Sequence, residues 1–568
     1  MTIKPARLTW ETGAALSPEQ REMLMGPGSK FEIVTEDVLG VPSQVFKQRH
    51  HSIRDLIASS AQRFDSRPLL VAKDAKGARD AIDTNYSYAE VCRLVCHVAS
   101  RLATEYGIGA GDRVAIAAAN SPEYAIAFWA TASLGAIYVG LNGWWSGDEL
   151  QYGVALTTPI LILADSARAA RLHETVGQDS QVVPLDSILD GLPTGPSELP
   201  THPIAEDDPL LVLFTSGTTG RPKGAVLSHR NFLHFSQAVG LAGAAGAVLA
   251  GLTPDPTVQF ASLIVSPFFH LSGIIPLINS IDGGVKVVLP PSGRWDEQTH
   301  LTLTAEHRVQ TWSGVPTQYW RILQHPDFAS YDLSSLRSAG SGGANFAPEL
   351  VRLLHEKLPN ISIGNGYGMT ETTGMGSITG GPMFLAFPDS VGKASATSEI
   401  EIRGFDNEVL PEKEIGEIFI RNASVFIGYW DNPAATGAAL SADRWYRTGD
   451  FGRVEDGMLY LESRMRDLII RGGENIYPPE IENRLIEHPD VADVAVIGIP
   501  HLVLGEEVMA VVVRREGSAL SVDDVQQWAR LTLGAYKVPS YVVFRHDLPY
   551  TQTGKVMKHQ LEQEYHSR

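Results

Sequence analysis

"LFTSGTTGRPKGAVLSH", residues 213–229, is the stretch on which both fold and chemistry turn. It opens inside "PLLVLF" (209–214), a short continuous apolar run of the kind that forms a strand buried on both faces. Next come small residues, hydroxyls and two cations in "TSGTTGRPKG". Such a loop offers backbone N–H groups, the hydroxyls of Thr215, Ser216, Thr218 and Thr219, and the ammonium of Lys223, a donor set that suits phosphate oxygens. It is not the nucleotide-triphosphatase loop. Pro222 precedes Lys223 where that motif requires glycine, and Gly224 follows where it requires Ser or Thr.

Working outward, strands alternate with helices. "GDRVAIAAANSPEYAIAFWATASLGAIYVGLN" reads as a strand at 114–118, a cap at Asn120 or Ser121 with Pro122 in the first helical turn, then a second strand. "PILILADSARAARLHE" repeats the pattern, with a strand at 160–164 and Asp165 and Ser166 opening a helix. This alternation predicts α/β layers with mainly parallel sheets. The last hundred residues read as a separate unit. "PPEIENRLIEHP" and "SVDDVQQWARLTL" are helices, "VADVAVIGIP" and "EEVMAVVVRREG" are strands, and a polar joint precedes them near 464–467.

The whole chain narrows the options. At 568 residues it exceeds a single ordinary core. A net charge of −19 repels nucleic acids and anionic membranes, so neither is an expected partner. Cys92 and Cys96 lie one helical turn apart and read as core thiols, which suits a cytoplasmic location. The first twenty residues carry no apolar signal region, and the uncharged Ala/Gly-rich stretch around 236–256 is too weakly apolar to be expected as a membrane span. That stretch reads either as a pocket cover or as a surface helical hairpin. No G-x-S-x-G, H-E-x-x-H or metal-spaced histidines occur.

Four further stretches complete the pattern: "NGYGMTETTG" (365–374), "YRTGD" (446–450), "RMRDLIIRGGENIYPPEIE" (464–482) and "TQTGKVMK" (551–558). In this order and spacing the chain resembles the adenylate-forming superfamily of acyl-CoA synthetases, carrier-protein adenylation domains and firefly-type luciferases, over about residues 50–568. "IIRGGENIYPPEIE" is most similar to bacterial fatty-acid and aryl-acid CoA ligases. The resemblance implies an α/β protein with a large N-terminal domain of layered α/β subdomains (1–463), a hinge (464–467) and a small mobile C-terminal α+β domain (468–568). It also implies ATP, Mg²⁺ and coenzyme A. A carboxylate oxygen is a poor leaving group, so such enzymes join the acid to the α-phosphate of ATP before a thiol attacks. Bringing a carboxylate against a polyanion calls for cations at the site.

The implied roles follow the motifs. Thr215, Ser216, Gly217, Thr218, Thr219 and Gly220 would hold phosphates, with Lys223 in support. Glu371 would bind Mg²⁺, Thr370 would lie near the α-phosphate, and Tyr367 and Gly368 would lie beside adenine with Gly342, Gly343 and Ala344. Asp450 would accept both ribose hydroxyls, joined by Arg464, although Ser463 stands where the family usually has Gly or Asp. Lys555 would bridge the substrate carboxylate and α-phosphate. Arg466 would be the pivot, and Gly472, Gly473, Arg471 and Lys537 would serve CoA. His270 in "SPFFHLSG", with Gly343 and Gly368, would border the acyl pocket. The expected substrate is a hydrophobic acid, fatty or polycyclic. An acyl carrier protein as acceptor, an enzyme that stops at acyl-AMP, a nucleotide-binding regulator without turnover, and a homodimer stay open at this level.

Overall fold

The computed structural model describes residues 4–10, 16–73, 84–176, 181–195, 197–215, 222–253, 255, 257–342, 346, 348–464, 467–471, 474–550 and 556–565. They fall into two compact units, one of Thr9–Ile400 with Ile420–Tyr446, the other of Met1–Leu8, Glu401–Phe419 and Arg447–Arg568.

The larger unit is built on two mainly parallel sheets, as the alternating pattern predicts. In the first, strands run in the order Gly428–Tyr429, Lys223–Ser228, Pro209–Thr215, Ile137–Gly140, Arg113–Ala117, Leu161–Ala164 and Val182–Pro184. The last five are mutually parallel, and Lys223–Ser228 turns back antiparallel on Pro209–Thr215. In the second, Ser362–Tyr367, Ser338–Gly342, Thr311–Gly314, Ala261–Leu263, Lys286–Leu289 and Pro68–Ala72 are parallel. Ser377–Gly380 adds antiparallel beside Ser362–Tyr367.

The main core contains Pro122–Ser133, which begins where Ser121 accepts the Tyr124 N–H and Pro122 occupies the first turn. Nearly every residue of this helix is buried, so it is apolar all round rather than amphipathic. Cys96 is buried and Cys92 half-buried, both free thiols.

The Ala/Gly-rich stretch is not a hairpin. It continues one helix, His229–Leu249, opened by a Ser228 capping box. By length and composition this helix could cross a membrane. Its first half instead lies in the core, where Arg230 pairs with Glu206 and, at 2.7 Å, with Asp207. Its second half is largely exposed.

In the smaller unit, Asp450–Glu455 pairs antiparallel with Met458–Arg464. Val491–His501, Gly505–Arg514 and Tyr541–Arg545 form a sheet flanked by the expected helices Pro478–Ile486 and Val522–Arg530. The compact units therefore part elsewhere than at 463/464. Pro478–Ile486 packs on Met458–Arg464, which ties that strand pair to the C-terminal segment.

Candidate active site

The apolar run 209–214 enters the sheet interior and emerges at Thr215, directly opposite Lys223 on the returning strand. Thr215 and Lys223, which flank the glycine-rich loop, therefore stand side by side on antiparallel strands. Ser216, Gly217, Thr218, Thr219 and Gly220 lie outside the described residues. Its base is firmly held: the Tyr152 hydroxyl donates to the Pro222 carbonyl at 3.1 Å, and the Trp430 N–H donates to that of Gly224 at 2.7 Å.

Strand Ser362–Tyr367 ends at Tyr367, and the chain turns through Gly368 into the short helical turn Thr370–Thr372. A Cβ at Gly368 would stand 2.3 Å from the Gly374 carbonyl carbon, so this crossing admits only glycine. The turn buries Glu371, 7% exposed. Its carbonyl accepts the Phe426 N–H at 2.8 Å, and its Oε1 accepts the Tyr429 hydroxyl at 2.8 Å. Burial raises the Glu371 carboxyl above the ordinary range, opposed by hydrogen bonds from its own backbone, Tyr429 and Thr215 and by the charge of Lys223. Lys223 Nζ lies 5.0 Å from the Tyr429 ring centroid. Thr215 and Lys223 from one motif and Glu371 from another thus converge on one spot. Tyr429, 58 positions from Glu371, joins them without having been read from the sequence.

A buried carboxylate in this setting fits a hard divalent cation. Among the described residues no three His, Cys, Asp or Glu side chains cluster to cage a metal. One carboxylate, with phosphate oxygens and water completing the shell, is the arrangement Mg²⁺ favours.

Gly342 pairs with Gly366 across parallel strands, which brings the end of the 338–342 strand beside the end of the 362–367 strand. Gly343 and Ala344 lie outside the described residues. The same register aligns Gly340, Gly364 and Gly380 in one row and Gly342, Gly366 and Ile378 in the next, on one sheet face. A Cβ added at Gly340, Gly366 or Gly380 would meet, within 4.0 Å, only backbone of neighbouring strands. The opposite face buries Trp312, Ala339 and Ile363 in a core cluster. One side of this sheet is thus packed, and the other is a floor of glycines at 340, 342, 364, 366 and 380 with Ile378 at its edge, on strands of which Ser362–Tyr367 ends four residues before Glu371. His270 follows strand Ala261–Leu263, is half-buried, and caps helix Leu271–Gly283 by accepting the Ser272 N–H at 3.4 Å.

In the smaller unit, Asp450 stands opposite Arg464 in the hairpin register, which unites the two expected ribose residues. Its N–H donates to Thr448 Oγ1 at 3.0 Å, whose hydroxyl donates to the Ile418 carbonyl at 2.8 Å. Gly449 turns with φ +73°, a conformation that favours glycine. Asp450→Ala is expected to weaken ATP binding about tenfold, as for loss of charge-assisted hydrogen bonds; equilibrium dialysis with ATP checks this, and unchanged affinity would place the ribose elsewhere.

Arg471 and Lys537 are held in ion pairs: Arg471 Nε is 2.6 Å from buried Glu507, and Lys537 Nζ is 2.7 Å from both oxygens of Glu480. A CoA phosphate would compete with these carboxylates. Arg466, Gly472, Gly473 and Lys555 lie outside the described residues.

The chain is similar to known proteins over most of its length. A family model described as "AMP-binding enzyme" matches residues 57–430, and one described as "AMP-binding enzyme C-terminal domain" matches 480–555. A feruloyl-CoA synthase from Amycolatopsis is 33% identical over 490 residues, covering 85% of this chain and 94% of the relative. The long-chain-fatty-acid–CoA ligase FadD13 of Mycobacterium tuberculosis is 32% identical over 492 residues, covering 85% and 94%. The crystal structure of ATP-bound MatB from Rhodopseudomonas palustris superposes with a TM-score of 0.78 at 28% identity, covering 90% of this chain and 99% of that one.

Proposed function

The chain belongs to the AMP-binding enzyme family, and from that premise we propose how its residues divide the work of an acyl-CoA ligase. The enzyme activates a carboxylic acid with ATP to acyl-AMP and pyrophosphate, then passes the acyl group to the thiol of CoA.

The convergence of Thr215, Lys223 and Glu371 carries the reading. Thr215 and the loop beyond it bind the phosphates, and Lys223 supplies charge at the loop's base. Glu371 holds Mg²⁺, which supplies neutralisation of the phosphate charge as the acid approaches. In this reading Thr370 stands beside the α-phosphate, and Tyr367, Gly368 and Gly342 border adenine. Asp450 and Arg464 take the ribose. In this reading Lys555 bridges the acid and the α-phosphate, Arg466 is the pivot of the segment that carries it, and Gly472 and Gly473 border CoA. Free Cys92 and Cys96 support a reducing, cytoplasmic setting.

The acyl group lies on the glycine floor, with His270 at its border. Four strands, Thr311–Gly314 to Ser377–Gly380, at about 4.8 Å spacing give a surface about 14 Å across, which supports a broad hydrophobic acid. Ile378, 42% exposed, lies on the same face beside Gly366. Gly366→Leu would raise an isobutyl group from this floor. It is expected to lower kcat/KM for fused-ring or long-chain acids about 10–100-fold while acetate and propionate lose little; equal loss for all acids would place the acyl group elsewhere. The match to CoA ligases across 85% of the chain leaves no support for a regulator without turnover. The direct test is pyrophosphate release across a panel of chain, aryl and fused-ring acids, with product mass read in the presence of CoA or a carrier protein. Release that depends on a hydrophobic acid and yields an acyl-CoA supports the reading; release with no acid in the panel contradicts it.

A further inference from the structure

We propose that Tyr429 is a positioning residue for the adenylation step, its hydroxyl orienting the Glu371 carboxylate and its ring seating the Lys223 ammonium. The inference rests on the ligase reading above and extends it to a side chain that no motif singles out.

The placement has a cause in the fold. Gly428–Tyr429 is a two-residue strand on the outer edge of the strand pair that flanks the glycine-rich loop, with Tyr429 opposite Ala225 and Gly428 opposite Val226. Backbone bonds on both sides, Ile427 N–H to the Val226 carbonyl at 2.9 Å and Trp430 N–H to that of Gly224 at 2.7 Å, fix its register two residues beyond Lys223. The Phe426 N–H, three positions earlier, donates to the Glu371 carbonyl at 2.8 Å. One short segment therefore ties the loop's second strand to the turn bearing Glu371. Tyr429 repeats that tie with its side chain: its hydroxyl is 2.8 Å from Glu371 Oε1 and its ring centroid 5.0 Å from Lys223 Nζ.

The chemistry gives the tie a use. A tyrosine hydroxyl donating to one carboxylate oxygen fixes the rotation of the group and directs its remaining lone pairs, as outer partners of metal-holding carboxylates do. An ionised carboxylate only accepts, so the proton in this bond is that of the Tyr429 hydroxyl. The ring face attracts the ammonium without consuming its three donors, so Lys223 keeps its hydrogen bonds for phosphate. Phe426 packs edge-on to the Tyr429 ring at 4.9 Å, a contact that phenylalanine at 429 would keep.

The test separates hydroxyl from ring. Mn²⁺ replaces Mg²⁺, and its binding to enzyme saturated with a non-hydrolysable ATP analogue is followed by electron paramagnetic resonance. The analogue's affinity without metal is measured beside it and serves as the control for folding. Tyr429→Phe is expected to weaken Mn²⁺ binding about tenfold and to leave metal-free analogue affinity within about twofold. Tyr429→Leu, which also removes the ring, is expected to weaken both. In turnover, Tyr429→Phe should raise the Mg²⁺ concentration for half-maximal rate while KM for the acid stays put. Wild-type Mn²⁺ affinity in Tyr429→Phe, or an equal loss of metal-free analogue affinity in both variants, overturns the proposal. If the wild-type enzyme binds neither analogue nor Mn²⁺, the ligase reading itself falls, and this proposal with it.

Discussion

Lys555→Ala is expected to lower acyl-AMP formation from acid and ATP about 10²–10³-fold and to leave thioester formation from supplied acyl-AMP near the wild-type rate. The expectation comes from the division of labour that "TQTGKVMK" implies by resemblance. A lysine that bridges two anions as they join matters most while they repel one another. Once the anhydride exists, the second step needs a thiol and a good leaving group, and the bridging ammonium has no further role. A pair of single-turnover assays separates the steps, one started with ATP and acid, the other with acyl-AMP and CoA. Equal slowing in both would mean that Lys555 serves the fold or both reactions alike, and the alternating segment would lose its support.

Glu371→Gln is expected to lower adenylation about 10²-fold at saturating acid and to raise the Mg²⁺ requirement, since it removes the buried carboxylate to which the proposal gives the metal. It should not lower Tm. Burial already disfavours the Glu371 charge, and glutamine keeps an oxygen for the Tyr429 hydroxyl. Activity lost together with several degrees of Tm would assign Glu371 to the fold. Unchanged Mg²⁺ dependence would assign the metal to another group.

The two predictions differ in how visible their residues are in the sequence. The strands at 113–117, 161–164 and 209–215 announce themselves as apolar runs, and Ser121 with Pro122 marks a helix start. These signals are local, so periodicity and caps find them. Thr215 and Glu371 sit in compositionally odd stretches, and the structure brings them together. The Ala/Gly-rich stretch was ambiguous because neither glycine nor alanine carries a face preference. Packing of Arg230 and Asn231 in the core, not propensity, sets the start of the helix that absorbs it.

The glycine floor was legible and went unread. "SAGSGGAN" and "SIGNGYG" place glycine at every second position, and period two in strands puts all of them on one face. Recognising a shared floor, however, needs the pairing of Gly340 with Gly364 and of Gly342 with Gly366, which is non-local. Tyr429 left no such trace. Its partners are 58 positions away and across a strand pair, and a lone Tyr between Gly428 and Trp430 reads as an ordinary edge-strand aromatic. The packing of Pro478–Ile486 on the 458–464 strand is likewise a contact invisible in composition.

The central claim is that the acid is activated through its own oxygen on the α-phosphate of ATP before the thiol attacks. Supplying an acid substrate with heavy oxygen in its carboxyl group, together with ATP and CoA, tests it in one mass spectrum. Attack of the carboxylate oxygen on the α-phosphorus forms the P–O bond and expels pyrophosphate; thiol attack then breaks the acyl C–O bond and leaves that oxygen on AMP. The account predicts AMP carrying one heavy oxygen and unlabelled pyrophosphate. Label in inorganic phosphate with ADP as co-product, or unlabelled AMP beside acyl-CoA, would contradict it.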